Sequence, residues 1–231
     1  MKPKKPHHTP LSIDDLKSLL DGFESAIGVL TMSRDLVDEV IAIIEEGGGI
    51  TVRARDTLKT ASGFEGNKQR LEELEIRFLG TLTKIEQVIE RATIKGINLL
   101  KGDSLFIHFD TEGKSKLETR GINLTPKALE FRKPLFNSLE RVQDSRIDVM
   151  NAIDIATTLR HVINSDLFML QGREEFSKET MANLVDETKA TDNTTLKDEA
   201  ANLLALQIRQ QLSENEAPLA GDAARDILSQ F

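Results

Sequence analysis

The side chains most often used for catalysis are few in this sequence. It has four histidines and no cysteine, so thiolate nucleophiles and thiolate metal sites are excluded. His7 and His8 lie in a short basic segment, and His108 and His161 are isolated from each other in sequence. None has a partner at the i, i+4 spacing that lets two imidazoles of a helix bind one zinc ion. We therefore expect ordinary exposed or hydrogen-bonded histidines and no metal site.

A run of three glycines, Gly47-Gly48-Gly49, is the one stretch that could suggest a phosphate-binding loop. No strand pattern precedes it, and no Gly-Lys-Ser/Thr follows it, so the phosphate-loop pattern is incomplete. Consecutive glycines raise the entropic cost of continuing a helix. The run therefore predicts the end of a helix.

Charged residues offer no better site. Carboxylate pairs such as Glu45/Glu46 and Glu72/Glu73 fall in charged helical stretches, which is typical of a solvated helix face. Lys114, Lys116 and Arg120 could form an anion patch, but a charged strand edge that prevents sheet association is favoured. The sequence thus predicts no catalytic residue, no cofactor and no enzymatic activity.

Composition narrows the class of protein further. The chain has 231 residues, enough for one large domain or two small ones, with 39% hydrophobic and 4% aromatic residues. A net charge of −8 disfavours nucleic acid as a partner, because phosphate binding needs a positive face. No window approaches the roughly 18 apolar residues of a membrane span, so no membrane insertion is expected. Residues 1–11 predict a flexible basic leader without the apolar centre of a secretory signal.

The first helix is predicted to begin at Ser12, an N-cap residue followed by two aspartates that suit the positive end of the helix dipole. Apolar residues at three- and four-residue steps then lead to the glycine run, with a disturbance near residues 31–33. A short separate helical piece is expected at residues 52–61. The polar residues around Ser62-Gly63 end it.

The clearest helical pattern spans about Asn67 to Thr93. Its apolar residues recur at alternating steps of three and four, the spacing of a heptad repeat. We call these residues the heptad row: Leu71, Leu74, Phe78, Leu82, Ile85 and Ile89. The pattern predicts a long helix that packs on a partner helix.

A hairpin is predicted next, at about residues 104–120. Apolar and polar residues alternate through Leu105 and Ile107, and Gly113 suits the positive φ of a tight turn. A second long helix should follow from Phe136 to about Lys189. A polar loop then leads to an amphipathic final segment that Pro218 interrupts. The predicted fold class is mainly α, an elongated antiparallel helical bundle or coiled coil with a small β-hairpin.

Three sequence motifs resemble bacterial flagellins. Residues 94–100, IKGINLL, with the continuation KGDSL, resemble the passage from the flagellin helical domain into its hairpin. Residues 173–181, REEFSKETM, are similar to the descending helix of the rod domain. Residues 199–212, EAANLLALQIRQQL, are similar to the start of the carboxy-terminal flagellin helix, and residues 227–231, ILSQF, to its ending. Together they cover most of residues 11–231 in the family's order, and the likeness is greatest to flagellins of the alphaproteobacterial type.

The resemblance implies a filament subunit with a flagellin rod-domain fold and no cofactor. Its implied organisation is a leader at 1–11, a helical rod domain at 12–190 and a carboxy-terminal helix at 191–231 that resembles the filament-core segment. Relative to the family, the chain is expected to lack the amino-terminal core helix. Glu214, Glu216 and Pro218 also depart from the unbroken terminal helix of flagellins.

Two functions stay open at this point, beside a third possibility, favoured by Pro218, that the sequence is a decaying gene copy with no present role. One is a structural subunit or minor component of the extracellular flagellar filament, with flagellin subunits as partners. The other is a cytoplasmic binding module that engages a flagellin export chaperone or another helical partner without polymerising. The residues expected to serve assembly are the heptad row together with Leu203, Leu204, Leu206 and Ile208, and packing within the chain is the alternative for each.

Overall fold

The structure is a computed structural model, and it describes residues 12–187, 204–207 and 209. In chain order the elements are helix α1 (Ile13–Leu58), helix α2 (Lys68–Arg91), strand β1 (Ser104–His108), strand β2 (Lys116–Arg120) and helix α3 (Leu139–Glu187). A 3₁₀ turn, Glu65–Asn67, precedes α2. The prediction of long helices interrupted by one hairpin is confirmed.

Helix α1 begins where the capping residues predict. The Ser12 Oγ accepts a hydrogen bond from the Asp15 N–H at 3.1 Å, and the Ser12 N–H donates to the Asp15 carboxylate at 3.1 Å. This reciprocal pair satisfies two backbone donors that the first turn leaves open. The hydrogen bonds from Ser12 lower the pKa of the Asp15 carboxyl.

The glycine run does not end this helix, and the prediction of a stop there was wrong. Helix α1 continues through Gly47, Gly48 and Gly49 to Leu58, so no separate helix at 52–61 exists and no break occurs at 31–33. A β-carbon on Gly47 would lie 3.3 Å from the Thr81 Oγ1, and one on Gly48 would lie 3.3 Å from a Val149 methyl carbon. Missing side chains let α2 and α3 approach α1 closely here, and burial of their apolar residues offsets the glycine penalty.

Residues 24–168 form one compact unit, which contains all of α2, the hairpin and most of α1 and α3. Between α1 and α2, Lys84 pairs with Glu46 at 3.0 Å, and Arg91 pairs with Glu39. Between α1 and α3, Arg160 lies 3.4 Å from Asp38. Because residue numbers rise in one helix as they fall in the other, α1 runs antiparallel to both α2 and α3.

The link from α2 to the hairpin explains the residue types of the IKGINLLKG stretch. Lys95 and Gly96 both have positive φ, 50° and 82°, in a tight turn that joins Ile94 to Ile97. Buried Asn98 then donates from its side-chain amide to the carbonyl of Ile89 at 2.8 Å, a second hydrogen bond to a carbonyl in the last turn of α2 that also accepts from the Ala92 N–H at 3.1 Å. The chain is thereby turned from helix to strand with its polar groups paired.

The two strands are antiparallel, with Phe106 opposite Glu118 and His108 opposite Lys116. Leu105 and Ile107 are buried, whereas Phe106 is exposed. Gly113 in the turn has a φ of 69°, as predicted. The hairpin therefore has one apolar inner face, which supplies the packing that two strands in water need.

The other compact unit is formed by the two ends of the chain, and residues 12–23 and 169–187 are its longest described segments. Leu16, Phe23, Leu170 and Ser177 are buried in it. The predicted terminal segment falls mostly outside the described residues, although residues 204–207 are helical.

Candidate assembly surfaces

The two described histidines lie apart from each other and contribute to no candidate site. His108 lies on the outer face of the hairpin and His161 on α3, and both are exposed. Across the described residues, no group of three or more His, Cys, Asp or Glu side chains could hold a metal ion. No helix in this part of the chain is long and apolar enough to cross a membrane.

The basic residues of the hairpin mostly have carboxylate partners. Lys114 pairs with Glu112 across the turn, and Arg120 pairs with Glu118 at 3.0 Å. These hydrogen bonds raise the pKa of both cations. Lys116 differs, because its ammonium group lies 5.0 Å from the centre of the Phe106 ring. The outer hairpin face is thus a mixed charged surface around one exposed aromatic ring.

The heptad row faces the interior of the chain. Leu71, Leu74, Phe78, Ile85 and Ile89 are buried, and Leu82 is half-buried. The Phe78 ring packs edge to face on Phe136 at 5.9 Å and on Phe131 at 6.3 Å between centroids. Five of the six residues therefore stabilise this chain's own core, and association with another copy requires different side chains.

The predicted residues of the final segment can be placed only in part. Leu204 is half-buried and Leu206 is 63% exposed, both in the helical residues 204–207. Leu203 and Ile208 lie outside the described residues. Leu206 is thus the one predicted assembly residue in the described part of the chain with a largely exposed apolar side chain.

The sequence reasoning missed an apolar strip on the solvent side of α2. Ile76 is 69% exposed and Leu79 44% exposed, one turn apart. Gly80 has no neighbouring atom within 4 Å of the place where its β-carbon would be. With exposed Thr83, these residues follow the i, i+3, i+4, i+7 spacing of a second helix face. This second spacing can be read from the sequence, but it contains only two large apolar residues, whereas the heptad row contains six.

The sequence reasoning also missed a groove on α3. It has a volume of about 840 Å³ and lies between the turn at residues 128–132 and the outer side of α3. Arg132 forms one wall, where its guanidinium donates to the Asp148 carboxylate at 2.6 and 3.0 Å and pairs with Asp144 at 3.1 Å. Only the folded turn brings these residues together, so spacing along the chain gives no signal for them.

Asp166 of α3 lies next to Thr119 of β2, and the hairpin contacts α3 at this position. Burial raises the pKa of the Asp166 carboxyl, and the neighbouring Thr119 hydroxyl of β2 partly offsets this. Thr119 is fully buried, and its Oγ1 forms no hydrogen bond of regular geometry in the described chain. At this contact the carboxylate is partly desolvated and lies beside a hydroxyl with poor hydrogen bonding. The charged form of Asp166 is therefore disfavoured there.

Comparison with known proteins identifies the fold. No protein family and no curated protein matches the sequence. Among solved structures, the chain is similar to the crystal structure of Bacillus cereus flagellin, with a TM-score of 0.54 and 12% sequence identity. The match covers 74% of this chain and 93% of that chain. At this identity the likeness shows fold alone: the chain has a flagellin-like helical fold, which confirms the expected fold class.

Proposed function

We propose that this protein is a structural, non-enzymatic subunit or minor component of a flagellin-type filament. The observation that carries the proposal is the shared fold with Bacillus cereus flagellin over 74% of the chain. The three sequence motifs described above support it independently. On this proposal the partners are other copies of the chain or a full-length flagellin, and the working location is the extracellular filament. The likeness to flagellins of the alphaproteobacterial type stays a prediction from sequence.

The division of side chains between core and surface supports an assembling subunit. Five of the six residues of the heptad row are buried within the chain itself. Their packing stabilises the fold of each copy. Apolar residues remain exposed on α2, the hairpin and α3: Ile76, Leu79, Phe106, Ile147 and Met150. Exposed apolar side chains on several faces suit contacts with more than one neighbour. Contacts between unlike surfaces of identical copies extend into open helical filaments when the rotation between copies does not close a ring.

Sedimentation and electron microscopy test this proposal. The purified chain is concentrated in ammonium sulfate, which strengthens apolar association, both alone and with short fragments of a full-length flagellin filament. Filaments, or incorporation of the chain into the fragments, are expected. The Ile76→Asp/Leu79→Asp variant should assemble less, whereas Ile76→Leu/Leu79→Ile, which keeps the strip apolar, should match the wild type. Persistent monomers that never enter the fragments would overturn the proposal.

A second function is favoured by the exposure of Leu206. An apolar side chain that is 63% exposed in a helical segment is suited to capture by the groove of a helix-binding partner. On this alternative, the chain occupies a flagellin export chaperone in the cytoplasm without polymerising. A pulldown with that chaperone would compare the intact chain with one deleted from Leu196 onward. Unchanged binding after the deletion would rule the alternative out.

A further inference from the structure

We propose that the outer hairpin face of one copy docks into the α3 groove of a second copy. The part of the outer hairpin face that docks is Phe106 with Lys116. The α3 groove is the cavity between residues 128–132 and the outer side of α3. This inference rests on the proposed self-association and names the two surfaces that meet.

The groove combines apolar walls with carboxylates, two of which lie apart from the Arg132 ion pairs of its wall. Leu129, Ile147 and Ile155 supply its apolar lining, and Ile147 is 41% exposed. Glu130 and Asp154 also line it, and neither carboxylate has an ion-pair partner within residues 12–187. An occupant that combines an apolar group with a cation would satisfy both parts of the lining.

The backbone at the groove is also held in an uncommon conformation. Glu130 has a φ of 57°, which a non-glycine residue rarely adopts. Two neighbouring contacts hold the turn in place: the Glu130 N–H donates to the carbonyl of Lys127 at 3.2 Å, and the Arg132 N–H donates to buried Asp148 at 3.1 Å. The turn is thus fixed before any occupant arrives, which lowers the entropic cost of binding.

The outer hairpin face has the complementary composition. The Phe106 ring is 50% exposed, and the Lys116 ammonium lies over it at 5.0 Å. Lys116 forms no ion pair among the described residues, in contrast to Lys114 and Arg120. A single projecting unit therefore carries an aromatic ring and a cation, with Glu118 opposite Phe106 already ion-paired with Arg120. A groove of about 840 Å³ has room for these two side chains.

The hairpin of a chain lies away from the groove of the same chain. Its strand β2 meets α3 at Asp166, whereas the groove residues of α3 lie between positions 147 and 155. At 1.5 Å per helical residue, these 11 to 19 positions are roughly 16–28 Å along the helix. The hairpin that fills the groove must therefore come from another copy, and because the two surfaces differ, the contact can repeat from copy to copy, as an open filament requires.

Analytical ultracentrifugation of single-surface variants tests the docking. Phe106→Ala/Lys116→Glu removes the hairpin surface and leaves the groove, and Asp154→Lys reverses the groove charge and leaves the hairpin. Each variant alone should associate about tenfold more weakly than the wild type or worse. A mixture of Phe106→Ala/Lys116→Ala with Asp154→Lys should form dimers that grow no further through this contact, because the altered hairpin offers neither an aromatic ring nor a charge to the altered groove. Lys59→Glu, an equal charge change at an exposed position at the end of α1, is the control and should associate like the wild type.

The charge-swapped chain supplies a second measurement. Lys116→Glu combined with Asp154→Lys in one chain should regain most of the association, since each copy again presents opposite charges. Circular dichroism should match the wild type for all variants, because the substituted side chains are exposed. Association of both single-surface variants at wild-type strength, or a failure of the mixture to dimerise, overturns the docking alone. A wild-type chain that never associates overturns the proposed function together with it.

Discussion

Gly48 of α1 lies so close to Val149 of α3 that a β-carbon on the glycine would stand 3.3 Å from the Val149 Cγ1. On the neighbouring residue, a β-carbon at Gly47 would stand 3.3 Å from the Thr81 Oγ1 and 3.4 Å from the Phe78 ring of α2. Two consecutive glycines thus contact two different helices. Gly49, the third of the run, has no atom of another helix within 4 Å of its β-carbon position.

We expect the three glycines to respond differently to substitution. Gly48→Leu should lower the free energy of unfolding by about 1–3 kcal/mol, because the new side chain must displace buried Val149. Gly49→Ala should raise it by up to about 1 kcal/mol, since alanine suits a helix better and meets no neighbour. Urea unfolding followed by circular dichroism measures both. A larger loss for Gly49→Ala than for Gly48→Leu would contradict the close-approach explanation.

The glycine run shows where reasoning from the sequence reaches its limit. The low helix propensity of glycine predicted a helix end. In the folded chain, the packing of the glycines against residues 78, 81 and 149, which are distant in sequence, outweighs that low propensity. By contrast, the Ser12 cap, the heptad row and the hairpin were predicted well, because each depends on residues within a few positions of one another. The α3 groove joins a turn and a helix through Arg132, and no spacing rule anticipates such a site.

Phe78 should be the most sensitive position of the heptad row. Its ring is 1% exposed and packs against Phe131 and Phe136. Phe78→Ala should therefore lower the free energy of unfolding by about 3–5 kcal/mol through lost burial and a cavity. Ile76→Ala, two residues away on the solvent side of the same helix, should change it by no more than about 0.5 kcal/mol. Similar losses at the two positions would mean that α2 is rotated from the arrangement described.

Gly121 should tolerate no β-carbon. One placed there would lie 2.2 Å from the carbonyl oxygen of Leu99 and 2.5 Å from that of Asp103, both of which accept hydrogen bonds from this part of the backbone. Gly121→Ala must shift the link between α2 and the hairpin, and we expect a loss of at least about 2 kcal/mol in unfolding free energy. Gly80→Ala is the matched control, because its position is open. It should leave stability unchanged or raise it by up to about 1 kcal/mol. Thermal and urea unfolding of the two variants would show the contrast.

Asp166 should make the stability of the fold depend on pH. Burial raises the pKa of its carboxyl in the folded chain above the ordinary value of 3.8, so the folded state binds the proton more tightly than the unfolded state does. The associated stability is fully present below pH 3.8 and is lost as the pH rises through the raised folded pKa. Asp166→Asn, which carries no charge at any pH, should therefore exceed the wild type in unfolding free energy at pH 7 and approach it near pH 3.5. Urea unfolding across this range measures the difference, with Glu86→Gln on the exposed side of α2 as the control for removal of one carboxylate. A difference between Asp166→Asn and wild type that stayed constant with pH, or that grew toward acid, would show that the carboxylate is not disfavoured beside Thr119.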